Sequence, residues 1–270
     1  MQAFAYESEN IKYWSGRAAG YSAVNQEELA TRQHAVWQSV LAEKITAHYP
    51  GKAPEQLRVL DIGTGPGFFS IILAELGYQV TAIDYTSSML DEAKRNAGAL
   101  ADCISFHRMN AEQLAFDDAC FDVLVTRNLT WNLPNPEKAY AQWNRVLRPG
   151  GLLLNFDANW YSYLHNEEAR LGHLQDRENV RVSGVSDDTA GTDVNAMEAI
   201  ARQTPLSVQV RPGWDIETLK RLHITAVADT EIWRRVWTEE EHTNNASTPM
   251  FLVEGHKAAA TECPALLGAS

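Results

Sequence analysis

Leu57-Arg-Val-Leu-Asp61-Ile-Gly63-Thr-Gly65-Pro-Gly67 runs directly into Phe68-Phe-Ser-Ile-Ile-Leu-Ala-Glu-Leu76. The first part is a short β-prone run and the last an apolar helix closed by Gly77. Between them, glycines allow a tight turn and a close approach of ligand to backbone. A strand–glycine turn–helix unit of this kind places its turn at the carboxyl edge of an open sheet, where ligands bind.

The same rhythm continues outward. Gln79–Asp84, Cys103–His107, Phe121–Thr126 and Leu152–Phe156 read as further strands. Helices are expected after Ser87 or Ser88, which would cap the first of them, and from Pro136 to Leu147. A turn, Arg148-Pro-Gly-Gly151, precedes the fifth strand. Alternating strands and helices imply right-handed crossovers and a parallel sheet covered on both faces. Upstream, residues 1–24 read as a short helix and a loop. A second helix is expected from Asn25, with Asn25 and Glu28 as a capping box. It ends at Tyr49-Pro-Gly51. After Asp157 the rhythm breaks. A helix from Trp160 to about Asp176, a polar loop over 183–192 and a helix from Val194 to Arg202 read as an insertion over the sheet. A helix at Trp214–Leu222 and strands at Ile224–Ile232 and Met250–Glu254 follow.

Composition bounds the partners. The 270 residues carry 23 Lys+Arg against 35 Asp+Glu, a formal charge of −12. This counts against nucleic acid or an anionic membrane as partner, since both need a basic footprint. Three cysteines make no disulfide framework, and no apolar run nears the ~20 residues of a membrane span. The expectation is a cytoplasmic protein.

The letters of the glycine turn discriminate among cofactors. A dinucleotide fingerprint needs glycine where Phe68 stands, and a P-loop needs a lysine that is missing. Asp61, on the last turn of the strand, would repel a pyrophosphate and attract a cation. S-adenosylmethionine (SAM), with a sulfonium, an amino group and no phosphate, suits it better. Asp84, ending the second strand, can accept hydrogen bonds from ribose hydroxyls.

Together these residues resemble the class I SAM-dependent methyltransferases of the small-molecule type. Val59–Gly67 is similar to that family's first motif, Val80–Asp84 to its second, and Met109-Asn-Ala-Glu112 to the segment after strand three. Phe121–Val125 and Arg145–Leu153 resemble the fourth and fifth strand motifs. The likeness covers residues 55–156 and resumes weakly over 211–256. It implies a Rossmann-like, doubly wound α/β fold. The sheet would be seven-stranded, mostly parallel with an antiparallel last strand, with a helical lid insertion added. The divisions would be an N-terminal helical cover (1–50), a SAM-binding core (51–157), the lid (158–205), the rest of the sheet (206–256) and a disordered tail (257–270).

The resemblance also assigns residues. Asp61, Gly63, Gly65 and Gly67 would meet the methionine part of SAM. Asp84 would meet the ribose, Met89, Asn110 and Ala111 the adenine, and Tyr85 is a further candidate cofactor contact. Tyr21 would close over the cofactor, and Arg127 would face its carboxylate or only line a loop. The expected reaction is transfer of methyl to a small-molecule acceptor, leaving S-adenosyl-L-homocysteine (SAH). Tyr13, Trp14, Trp131, Trp160, Tyr161 and His165 are the candidate acceptor contacts, by cation–π or aromatic packing. Asp157 is the candidate base, with helix capping as the alternative. No metal site is expected, since His165 and His173 do not stand at i and i+4. Aminopropyl transfer, or SAM binding without catalysis, remain alternatives on the same fold. A homodimer is allowed. The region after strand four, Thr126-Arg-Asn-Leu-Thr-Trp-Asn-Leu-Pro134, lacks the Asn/Asp-Pro-Pro-aromatic motif of the DNA and protein amide methyltransferases.

Overall fold

The strands expected around the glycine turn form one sheet in the computed structural model, which describes residues 2–259. In chain order the strands are β1 (Arg58–Ile62), β2 (Gln79–Asp84), β3 (Ile104–Arg108), β4 (Phe121–Arg127), β5 (Leu147–Asp157), β6 (Ile224–Asp229) and β7 (Phe251–Lys257). Their spatial order is β3-β2-β1-β4-β5-β7-β6. Only β7 runs antiparallel to its neighbours β5 and β6. The order reverses at β1, which pairs with β2 on one side and β4 on the other. That switch point opens a crevice at the carboxyl ends of β1 and β4.

Alternation along β1 sends Val59 to one face of the sheet and Leu60 and Ile62 to the other. The first face packs on α2 (Arg32–His48) and α3 (Phe68–Glu75), with Trp37, Leu41 and Phe69 fully enclosed. The second packs on α5 (Pro136–Val146) and α8 (Gly213–Arg221) through Tyr140, Trp143 and Leu219. Trp143 is a core residue, and Trp233 and Trp237 pack against the first face.

Several expected boundaries move. The first helix, α1, is continuous from Gln2 to Ala30, and the break falls at Thr31, whose backbone is extended. Asn25 is therefore no cap. Its amide donates to Glu28 Oε2 at 2.8 Å inside α1. Helix α4 (Ser87–Ala97) is preceded by Thr86 in the N-cap position, not by Ser87 or Ser88. The turn 148–151 is absorbed into β5 as an irregularity, the pairing jumping from Phe121↔Leu147 to Val123↔Leu152. Helix α6 runs Glu167–Ser183, starting after Trp160 because Asn166 caps it by accepting from the Ala169 N–H. It is followed by α7 (Val194–Ala201). β6 stops at Asp229, and two short helices, α9 (Trp233–Val236) and α10 (Glu239–Asn245), lead to β7. Of the expected tail, residues 260–270 lie outside the described residues. No helix among the described residues is long and apolar enough to cross a membrane.

Candidate active site

The crevice at the switch point is the floor of a cavity of about 440 Å³, within the range of small-molecule sites. Its roof is α1 on one side and the 158–205 segment on the other.

Asp61 is the penultimate residue of β1 and is buried. The Ser70 hydroxyl donates to its Oδ2 at 2.6 Å, and Thr64 Oγ1 lies 2.7 Å from that hydroxyl. Burial pushes the Asp61 carboxyl up to about 6, against the opposing pull of Ser70 and Thr64. Asp84, at the end of β2, accepts from the backbone N–H of Gly65 at 3.0 Å and of Thr86 at 2.8 Å. Burial raises it too, and those N–H groups oppose the rise. Gly65 has φ +52°, and a Cβ there would stand 3.5 Å from the Tyr21 ring. Tyr21 thus closes directly over the glycine turn.

Arg127 ends β4. Its Nη2 bonds both Glu28 carboxylate oxygens, at 2.7 and 2.9 Å, and its guanidinium lies 4.5 Å from the Phe68 ring centre. The Asn25–Glu28 pair therefore belongs to this bridge, which ties α1 across the glycine turn. Arg127 borders the cavity, and its Nη1 is buried with no protein partner.

Tyr85, Met89, Asn110 and Ala111 also border the cavity, so ten of the eleven residues expected for the cofactor line the same cavity. Gly67 does not. Its φ is +96°, and a Cβ there would stand 3.1 Å from Ala93 Cα, so it serves the packing of α3 on α4. The donor set fits SAM by its chemistry. Asp61 and Asp84 suit an ammonium, a sulfonium and a ribose diol, while the orphaned Arg127 Nη1 suits a carboxylate. No group of three or more metal-ligating side chains occurs among the described residues.

Of the acceptor candidates, Tyr13, Trp14, Trp131, Trp160 and Tyr161 border the same cavity. His165 does not. It lies exposed in the turn before α6, whose late start moves it off the helix. Asp157 also lies away from the cavity and is fully buried. Its Oδ2 accepts from the Trp131 N–H and from Arg211 Nη1, and its Oδ1 from the Ala158 N–H. It neither reaches an acceptor nor has an oxygen free, so the structure removes it as a base. It does not cap a helix either, but anchors two loops.

Sequence reasoning missed three groups. Tyr6 donates to the Asn132 carbonyl at 2.7 Å, and Asn10 donates to Asn132 Oδ1 at 3.1 Å, clasping α1 to the loop after β4. His173 and Arg177 of α6 also border the cavity, as does Tyr163, which the sequence had already placed near the site. Arg211 fixes Asp157. The helical spacing of Tyr6, Asn10, Tyr13, Arg17 and Tyr21 was the available signal for the first group.

A family model described as a methyltransferase domain matches residues 60–155. A demethylmenaquinone methyltransferase from Deinococcus radiodurans is 36% identical over 120 residues, 44% of this chain and 47% of that protein. A ubiquinone/menaquinone biosynthesis C-methyltransferase from Vibrio parahaemolyticus is 32% identical over 159 residues, 50% of this chain and 60% of that one. The chain thus spans about half the length of the curated relatives it matches. Among solved structures, a Galdieria sulphuraria protein assigned as a sarcosine dimethylglycine methyltransferase aligns with a TM-score of 0.56. That alignment has 14% identity and covers 82% of this chain and 85% of that one, a likeness of fold. With the glycine turn, the two strand-end acids and the β7 reversal, these matches establish that the chain carries, at residues 60–155, a domain of the class I SAM-dependent methyltransferase family.

Proposed function

We propose that the protein transfers a methyl group from SAM to a small-molecule acceptor. The observation that carries this reading is the single cavity that joins the Asp61–Asp84 wall to the aromatic residues of α1 and the 158–205 segment. The relatives that match the core are named for small-molecule acceptors, which supports the same class.

When bound, SAM supplies a methyl group already activated on a cationic sulfur. The protein's share of the work is alignment and exclusion of water. Asp84 accepts the ribose hydroxyls, and Asp61 favours the positive end of the cofactor. Arg127 Nη1 is placed for its carboxylate. Met89, Asn110 and Ala111 border the adenine. Tyr21 covers the glycine turn, and the 158–205 segment acts as the acceptor lid. With Asp157 sealed by Arg211, no carboxylate at the end of β5 takes part in proton transfer. The acceptor's own nucleophile attacks the methyl carbon in line as the sulfur departs.

Isotope-labelled SAM incubated with the protein and a metabolite extract tests this, read by mass spectrometry. The reading expects one labelled small product and an equal amount of SAH. Methylthioadenosine in place of SAH would mean transfer of the aminocarboxypropyl group of SAM, and a parallel incubation with decarboxylated SAM that yields methylthioadenosine would mean aminopropyl chemistry. SAM binding with no SAH from any pool would mean a binding protein.

A further inference from the structure

We propose that residues 185–190 form a gate in the cavity wall, and that Asn244 on α10 is the positioning residue that latches it shut. This narrows the lid of the methyltransferase reading to one moving part, and rests on that reading.

The two ends of the segment mark it as a gate. Gly184, just after α6, has φ +73°, and Gly191 has φ +72°. Nothing stands within 4 Å of the place a Cβ would take on either. No neighbour requires these glycines, but their left-handed backbone does. Two pivots with open space around them therefore bracket the segment. Between them no residue is buried. The segment keeps its own shape, since Asp187 Oδ1 accepts from the Thr189 N–H at 2.8 Å and the Ala190 N–H donates to the Asp187 carbonyl at 3.0 Å. The helices on either side are anchored. Asp176 of α6 accepts from the N–H and hydroxyl of Ser247. Met197, Ile200 and Ala201 of α7 pack in a buried cluster with Tyr6 and Trp131. A turn with no buried apolar residue, set between anchored helices, belongs to the low-stability end of a fold. Asp188 and Thr189 border the cavity, so this turn is part of its wall.

The hold on the gate centres on one side chain. Asn244 is buried and borders the cavity. Its Nδ2 donates to the Ser186 carbonyl at 2.9 Å and to the Glu240 carbonyl at 3.0 Å. Its Oδ1 accepts from the Asp188 N–H at 3.1 Å and from Arg177 Nη2 at 3.4 Å. A side-chain amide has two N–H donors and two oxygen lone pairs, and all four are used. Asn245 Nδ2 adds a bond to Asp188 Oδ2 at 2.8 Å. Arg177 adds ion pairs to Asp187 and Asp188, whose side chains are 43% and 45% exposed, which limits what those pairs contribute. The two bonds from the buried amide to the gate backbone carry most of the hold. Hydrogen bonds of this kind exchange for bonds to water at small net cost, so the gate can swing out while α6, α7 and the sheet stay in place.

The test uses the full chain and needs neither cofactor nor acceptor. Met197 is 3% exposed and borders the cavity. Met197→Cys puts a thiol there, and its labelling by iodoacetamide is read by peptide mass spectrometry, apart from Cys103, Cys120 and Cys263. Adding Asn244→Ala should speed that labelling about tenfold, the change that loss of one to two hydrogen bonds makes in an opening equilibrium. Amide hydrogen exchange over 185–191 should quicken by a similar factor, with exchange in α7 and β1–β4 unchanged. Asn245→Ala, which removes the side-chain bond to Asp188, should act in the same direction about threefold, and it carries the test should Asn244→Ala not fold. Equal labelling with and without the latch variants overturns the proposal. Faster exchange spread evenly through α6, α7 and the sheet also overturns it, because Asn244 would then serve stability alone. Neither result touches the SAM reading, which the labelled-SAM incubation judges separately.

Discussion

Asp157 Oδ2 lies 2.7 Å from Arg211 Nη1, and neither side chain has any exposed surface. Arg211 also bonds both oxygens of Asp215, at 2.9 Å each, and the Tyr140 hydroxyl donates to Asp215 Oδ1 at 2.6 Å. The Trp131 N–H on Asp157 links this buried set to the loop that borders the cavity. A carboxylate that looks catalytic by its place at the end of a strand is thereby an anchor.

Arg211→Met should be strongly destabilising, because it strands two buried carboxylates. Breaking a buried pair from one side costs about 3–5 kcal/mol. Urea unfolding should show a clearly lowered midpoint. Asp157→Asn, which keeps the volume and leaves Arg211 its Asp215 partner, should cost less. A wild-type midpoint for Arg211→Met would disprove this role.

The Asp61 carboxyl titrates near 6 in the ligand-free fold, above its unfolded value. Its contribution to folding is therefore present in full below about 3.8 and lost as pH rises through about 6. A cationic ligand reverses the preference, since it favours the ionised form. SAM affinity should rise between pH 5 and 7 and level off above. Asp61→Asn should remove the part of that rise set near pH 6. The same variant should stabilise the ligand-free protein at pH 8, by about 1–3 kcal/mol, while weakening SAM. Parallel calorimetry and thermal unfolding would check the opposite signs.

The clasp between α1 and Asn132 should control access. Tyr6→Phe removes the hydroxyl bonded to the Asn132 carbonyl. Asn132→Ala removes the side-chain bond to Asn10. Each should raise amide hydrogen exchange in the first half of α1 at least severalfold and leave exchange in the β1–β4 core unchanged. Uniform exchange across the chain would contradict a local clasp.

The sheet was legible because parallel strands covered on both faces read as apolar runs between turn residues. β2 lies where the letters put it, and Asp61 and Asp84 stood out as acids at strand ends. The cover was less legible. The inner face of α1 mixes Tyr6, Asn10, Tyr13 and Arg17, so its helical period is carried by ring and polar residues and not by aliphatic ones. Asp157 was misread because its partner, Arg211, stands 54 residues downstream in an irregular stretch. His165 was displaced by the Asn166 cap, a contact that shows only once α6 is placed. Gly67 shares a motif with two cavity glycines, yet the neighbour that requires it is Ala93 on α4.

The central claim is that the Asp61–Asp84 wall holds SAM. Calorimetric titration of SAM into the wild-type protein and into Asp84→Ala tests it most directly. The account predicts one site in the wild type and at least a tenfold loss of affinity in the variant, from hydrogen bonds to a charged acceptor. No binding to the wild type, or equal affinity in both, would contradict it.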